Sequence, residues 1–146
     1  MKSPFVTLTL CLLAIGLSSC TKNKTILSPD FSLVRNIQWR LVAFDTLVGR
    51  TVYLSSTDTI YFFLEETRVV RGRSHGECGN YYDGVYHFGG ANLLRFDSLG
   101  STEALCPSSR YWNYFDRFKT VTTFGVNGSQ LYLYYDNNRQ KLLLEK

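Results

Sequence analysis

The sequence predicts a mainly β domain, laid out as one continuous antiparallel meander with a single amphipathic helix inserted late. Three observations carry this. Ten Tyr and ten Phe favour strands, where aromatic side chains fit a pleated, half-buried surface. Asn127-Gly128 stands between two runs rich in β-branched and aromatic residues, Val121 to Val126 and Ser129 to Tyr135, which is the strongest short-range hairpin signal. One stretch alone, Ser109 to Thr120, changes to helical spacing: Tyr111, Phe115 and Phe118 recur at i, i+4 and i+7, with Trp112 beside them. A composition of 45% hydrophobic and 19% charged residues excludes disorder. The net charge of +4 comes from scattered residues rather than a basic stripe, which argues against a nucleic-acid partner.

The N-terminus reads as a targeting segment. Lys2 is followed by an apolar run from Phe5 to Leu17 and then by Ser18-Ser19-Cys20, the layout of a secretory signal with small residues before the cut. The run falls short of the roughly 20 residues that a membrane-spanning helix needs. Leu17-Ser18-Ser19-Cys20 resembles the lipobox of bacterial lipoproteins, in which the cysteine becomes the acylated first residue of the mature chain. The expected organisation is therefore a lipoprotein signal peptide over 1–19, an acylated Cys20 with a tether over 20–35, and a folded domain over 36–146. Lys22, Lys24 and Ser28-Pro29-Asp30 suit a polar tether. Thr21 in place of Asp after the cysteine resembles lipoproteins sorted to an outer membrane. The expected location is the bacterial cell envelope, with the membrane engaged through the N-terminal lipid.

Of the four cysteines, Cys11 lies in the segment to be removed and Cys20 carries the lipid. Cys78 and Cys106 remain, in a chain read as exported, where oxidation persists. They are expected to form a disulfide with a structural role, a redox or metal-binding role being the alternative.

Within the domain, Trp39, Leu41 and Ala43 share one side of an extended Gln38–Phe44 segment, as a strand with one buried face requires. Thr59 to Leu64 and Arg68 to Arg71, separated by Glu65-Glu66-Thr67, read as neighbouring antiparallel strands. Arg68, Arg71 and Arg73 crowd the second of these, as charges do when they protect an exposed strand edge; an anion site is the other reading. Gly72 and Gly76 frame a turn into Cys78. Tyr82, Val85, Tyr86 and Phe88 then lead to Leu93-Leu94-Arg95-Phe96, joined at Gly89-Gly90-Ala91-Asn92, where the glycines are expected to supply positive φ. The helix follows Pro107, with Ser108 or Ser109 as its cap. Asp136-Asn137-Asn138-Arg139 turns the chain into a last strand from Lys141 to Glu145.

Chemical motifs are incomplete. His75-Gly76-Glu77 matches half of a zinc deaminase signature, but the accompanying Pro-Cys-x-x-Cys is missing. His75, Glu77, Cys78 and His87 include metal-ligand types, yet an oxidised Cys78 cannot serve as a thiolate. Ser74 and His75 are adjacent on a strand and point to opposite faces, as do Glu65 and Glu66. There is no phosphate-cradling loop and no complete calcium loop at Asp136. The sequence thus assigns no catalytic residue, no metal site and no cofactor.

Taken together, Gly76-Glu77-Cys78-Gly79-Asn80-Tyr81-Tyr82, then Thr102-Glu103-Ala104-Leu105-Cys106-Pro107, a short helix, and Phe124-x-Val126-x-Gly128-x-x-Leu131-x-Leu133 resemble the META domain, the HslJ-like family of bacterial envelope proteins. The resemblance runs from about Asn36 to Lys146. Glu77 immediately before the cysteine, Gly79 between cysteine and asparagine, and acidic Glu103 depart from the usual pattern. The family implies a compact, partly open, barrel-like sheet, associations with envelope stress and drug tolerance, and no established catalytic residues. The expected function is a non-enzymatic contact with an envelope protein or surface. The alternative is a lipocalin-like binder holding a small apolar ligand in the mouth of a barrel.

Overall fold

The computed structural model describes residues 30–46, 48–76, 79–103 and 110–146. Nine strands form one antiparallel sheet: β1 (Trp39–Asp45), β2 (Thr51–Tyr53), β3 (Thr59–Leu64), β4 (Val69–His75), β5 (Tyr81–Gly89), β6 (Leu93–Ser101), β7 (Thr123–Asn127), β8 (Gln130–Tyr135) and β9 (Gln140–Glu145). The single α-helix among the described residues, α1 (Arg110–Phe118), enters between β6 and β7. From β3 to β9 each strand pairs with the next, and β9 pairs back onto β1, so the sheet closes in a ring. Along its other edge β1 meets β3 through Trp39 and Arg40 and then β2 through Ala43 to Asp45. The ring is weakest between β6 and β7, which share the single register pair Leu93↔Thr123. Two flanking hydrogen bonds, Leu94 N to Thr122 O at 3.0 Å and Phe124 N to Asn92 O at 2.9 Å, hold this seam.

Alternation decides what fills the ring. Ile60, Phe62 and Leu64 of β3, Leu131, Leu133 and Tyr135 of β8, and Leu142 and Leu144 of β9 are buried at every second position, the period of two that puts one face of a strand in the core. On β1 the register slips between Leu41 and Ala43, and the bulge lets both Ala43 and Phe44 be buried. The ends of the ring are covered from outside the sheet. At one end α1 lowers Tyr111, Tyr114, Phe115 and Phe118 into the core. Tyr114 extends the stripe expected from sequence, because Phe118 is four residues further on and shares its face.

At the other end a short 3-10 helix, Phe31–Leu33, stacks Phe31 on Phe88 with ring centroids 4.1 Å apart. Val34 just after it is fully buried, and its carbonyl accepts the indole N–H of Trp39 at 3.0 Å. Residues 30–35, assigned to the tether from sequence, therefore belong to the folded body. The polar composition that suggested a tether ends at Asp30, whose carboxylate accepts the Ser32 N–H at 2.9 Å and caps this helix.

Three local expectations are corrected. β4 is no edge strand: it pairs with β3 on one side and β5 on the other. Its arginines follow from alternation, since Val70, Gly72 and Ser74 face inward and Arg71 and Arg73 face water, while Arg68 sits in the preceding turn at φ 68°. In the β5–β6 hairpin the positive φ values belong to Ala91 (56°) and Asn92 (64°), not to the two glycines. The β7–β8 hairpin turns at Gly128-Ser129, one position later than expected, because Asn127 still pairs with Gln130. Gly128 alone takes positive φ there (60°), as the first position of a type II′ turn demands. The expected caps Ser108 and Ser109 lie outside the described residues, and β2 had too short a sequence signal to be anticipated.

Candidate functional site: an arginine and tyrosine groove on the outer face

Strand register assembles an aromatic and cationic surface on the outside of β3, β4 and β5. Directly opposed residues form one cross-strand row, Arg40–Tyr61–Arg73–Tyr81, and beside it a second, Phe63–Arg71–Asp83. Opposed residues in such rows sit about 4.5–5.5 Å apart, and the two rows are about 7 Å apart because they are two residues removed along each strand. A cleft of about 190 Å³ opens here between Tyr61, Phe63, Arg73 and Tyr81, with Gln38 at its rim. A second cleft, about 580 Å³ and wider, shares Arg71, Gly72 and Tyr81 with the first and continues over Asp83, Ser101 and Thr102. The result is one groove with an aromatic half and a polar half.

The charges are unevenly satisfied. Arg71 Nε lies 3.2 Å from Glu65 Oε1, and Arg40 Nη2 lies 3.6 Å from Glu145 Oε2. Arg73 has no carboxylate partner among the described residues. Tyr81, 60% exposed, is the large aromatic face beside it. Exposed aromatic side chains next to a planar guanidinium make a surface suited to recognition, since both present flat faces and Arg adds a forked set of donors.

Beneath the groove the wall is rigid. The Tyr82 hydroxyl donates to Tyr61 O at 3.0 Å and shares a hydrogen bond of 2.6 Å with the Tyr114 hydroxyl. Burial pushes both phenols up from their ordinary pKa, Tyr82 well above it, so the pair stays neutral and serves as a polar clasp between α1 and β5. Tyr135, whose hydroxyl donates to Asp45 O, is likewise pushed up by burial to about 12. Near the polar end, Asn80 is fully buried. Its N–H donates to Ser74 Oγ at 3.1 Å, and its Oδ1 accepts from Thr102 Oγ1 at 3.1 Å, while Thr102 Oγ1 accepts from Tyr81 N at 3.0 Å. Asn80 and Thr102 appear in the sequence motifs, but alternation and spacing gave them no role, because their bonds join segments 22 residues apart.

The residues singled out from sequence are dispersed. Cys20, Glu77, Cys78 and Cys106 lie outside the described residues. His75 faces outward beside Tyr61, with ring centroids 6.2 Å apart. His87 pairs with Asp97 at 2.9 Å. The Val69↔Val85 and Arg73↔Tyr81 register puts the two histidines beyond opposite ends of the β4–β5 ladder, roughly 27 Å apart at about 3.4 Å per residue. Ser74 turns inward to Asn80, away from His75. Glu65 turns to Arg71, whereas Glu66 accepts from Asn36 Nδ2 at 3.0 Å. The groove was missed because its aromatic and basic residues are far apart in sequence; the alternation of Arg71 and Arg73 around Gly72 was its one local signal.

Solved structures with this fold include an NMR structure of a protein from Burkholderia xenovorans. It has a TM-score of 0.63 and 23% identity, with 82% of this chain and 91% of that one covered. A crystal structure of a DUF4847 family protein from Bacteroides vulgatus has a TM-score of 0.56 and 12% identity, with 79% and 95% covered. At these identities the likeness is one of fold. No curated protein matches the chain. The family model of the META domain matches residues 32–146, a span that begins within the 3-10 helix and takes in all nine strands and α1, and the chain belongs to the META domain family.

Proposed function

We propose that this chain is a lipid-anchored lipoprotein of the bacterial cell envelope, held in the outer membrane through Cys20, whose META domain works by contact and not by catalysis, in support of envelope stress or drug tolerance. The observation that carries the contact reading is the distribution of space. Trp39, Phe62, Tyr86, Tyr111, Tyr114 and Phe118 are all fully buried and occupy the interior of the ring, while the groove over Arg71, Arg73 and Tyr81 lies on the outside. A lipocalin-like site needs an open mouth leading to a central cavity. Here α1 and the 3-10 helix cover the two ends, so this packing does not favour an apolar ligand inside the ring.

Anchoring is supported by the Leu17-Ser18-Ser19-Cys20 pattern. Replacing Cys20→Ala should abolish fatty-acid labelling and release the protein from the membrane fraction, because attachment rests on acyl chains contributing about 0.8 kcal/mol per buried CH₂. Undiminished labelling of the variant would overturn it.

The Cys78–Cys106 disulfide belongs to the same proposal. Support comes from Asn80 and Thr102, whose hydrogen bonds join the two segments in which the cysteines occur, two and four residues away in sequence. Cys78 and Cys106 lie 28 positions apart, and closing a loop of that length stabilises by roughly 3–4 kcal/mol in the chain-entropy model, less any native strain. Mass comparison of the denatured exported protein, alkylated with and without prior reduction, should show two thiols only after reduction. Two alkylated thiols in the unreduced sample would reject the bond.

A further inference from the structure

We propose that the outer groove binds an acidic saccharide, with Arg73 receiving a ring-borne carboxylate and Tyr81 and Tyr61 carrying the sugar faces. The inference deepens the contact reading by naming a ligand class for its surface. It does not depend on the lipid anchor, so loss of Cys20 labelling and loss of groove binding are separate results.

Charge selects an anion. Of the three arginines in the two rows, Arg40 and Arg71 already face carboxylates, whereas Arg73 has none among the described residues and stands between Tyr61 and Tyr81 in register. A guanidinium forks onto a carboxylate through two parallel N–H donors. Because Tyr61 and Tyr81 are its immediate cross-strand neighbours, an anion held there lies against aromatic faces.

Shape and polarity favour a sugar over a simple organic anion or an apolar acid. The aromatic cleft has room, at about 190 Å³, for one ring-sized group, and it opens into a second cleft instead of closing. That second cleft offers sugar hydroxyls an acceptor and a donor, the Asp83 carboxylate and the Arg71 guanidinium, while the Ser101 and Thr102 hydroxyls at its border are already bonded to Tyr111 and to Tyr81 N and Asn80. A saccharide has C–H faces that pack on aromatic rings and a periphery of hydroxyls that are both donors and acceptors. The groove presents these two requirements side by side, across more length than one ring occupies. An acidic peptide would satisfy Arg73, but its carboxylate-bearing side chains offer no ring C–H face for Tyr61 and Tyr81 to carry.

The full chain, solubilised in detergent, is titrated with trigalacturonate, a trimer carrying one carboxylate per ring, and with its neutral counterpart galactotriose. Triglutamate serves as the acidic peptide probe. The expected result is binding of trigalacturonate at least tenfold tighter than either of the others. Arg73→Gln should weaken it about tenfold or more, Arg73→Lys should recover only part of that loss because an ammonium lacks the fork, and Tyr81→Ala should weaken it to a similar degree. Lys141→Gln, on β9 and outside the groove, should change nothing. These are surface positions, and an unaltered circular dichroism spectrum and melting temperature show that each variant is folded. The proposal is overturned if trigalacturonate does not bind at millimolar concentration, if galactotriose or triglutamate binds equally well, or if folded Arg73→Gln and Tyr81→Ala bind like the wild type.

Discussion

Phe118→Ala should lower the stability of the domain by about 3–5 kcal/mol, the range for deleting a buried aromatic side chain. Phe118 is fully buried at the last turn of α1. Its ring meets Phe96 at 4.1 Å, Tyr114 at 5.4 Å, and Phe62 and Tyr82 at 5.5 Å each. These partners come from β3, β5, β6 and the helix itself, so the truncation removes the point at which α1 is fastened to three strands. The space cannot be refilled easily, since the surrounding rings are fixed by their own contacts and, for Tyr82 and Tyr114, by a shared hydrogen bond. The loss should appear in urea unfolding as a lower midpoint at an unchanged slope. Trp112→Ala on the same helix, at a half-buried position, should cost distinctly less. Equal small losses at both positions would mean that the helix does not close the ring as described.

The contrast between these two aromatics shows how far the sequence could be read. The helix and most strands announce themselves through periodicity, because burial on one face imposes a spacing of 3.6 or 2 that survives in the amino-acid order. Hence Trp39, Leu41, Phe115 and Phe118 were all expected in the core, and all are buried there. Closure of the ring by β9 on β1 carries no such signal. It joins residues about a hundred positions apart, as in Arg40↔Glu145, and only the family resemblance anticipated it.

The turn at Asp136–Arg139 stands where it was expected, but the placing of positive φ within the turns fails for a different reason. Ala91, Asn92, Asp136, Asn137 and Asn138 all take positive φ, and Asn and Asp tolerate that region well enough that glycine is a poor guide to where the chain reverses. The arginines of β4 show a third limit. Charge clusters at a strand edge and on the outer face of an inner strand look alike in sequence, and only the neighbour across the sheet separates them. For the same reason the groove, made of one or two residues from each of several strands, was not legible as a site. Its members share register and not sequence, so the pairing of Tyr61 with Arg73 and of Arg73 with Tyr81 had to be seen in the sheet.

Gly72→Ala should cost about 2–4 kcal/mol, although the change adds only a methyl group and the backbone there is not at positive φ. A β-carbon at this position would fall 1.9 Å from Cζ and 2.2 Å from Oη of Tyr82. Gly72 and Tyr82 are opposed in register, and the phenol ring lies across the gap that the missing side chain leaves. The ring has little freedom to retreat, being packed against Phe115 and Phe118 at 5.5 Å each and tied by its hydroxyl to Tyr61 O and Tyr114. Displacing it combines the strain of overpacking, about 1–3 kcal/mol, with the loss of hydrogen bonds contributing about 0.5–1.5 kcal/mol each. The cause is tested by a double-mutant cycle with Tyr82→Leu. A side chain without the ring's far end leaves room for the methyl, so in that background Gly72→Ala should be neutral, or stabilising by about 0.5–1 kcal/mol, the usual advantage of Ala over Gly in a strand. A cost that is the same in both backgrounds would show that Gly72 is required for some property of β4 other than the space it leaves for Tyr82. A coupling of about 2 kcal/mol or more would place the rigidity of the groove's inner wall in this one pair.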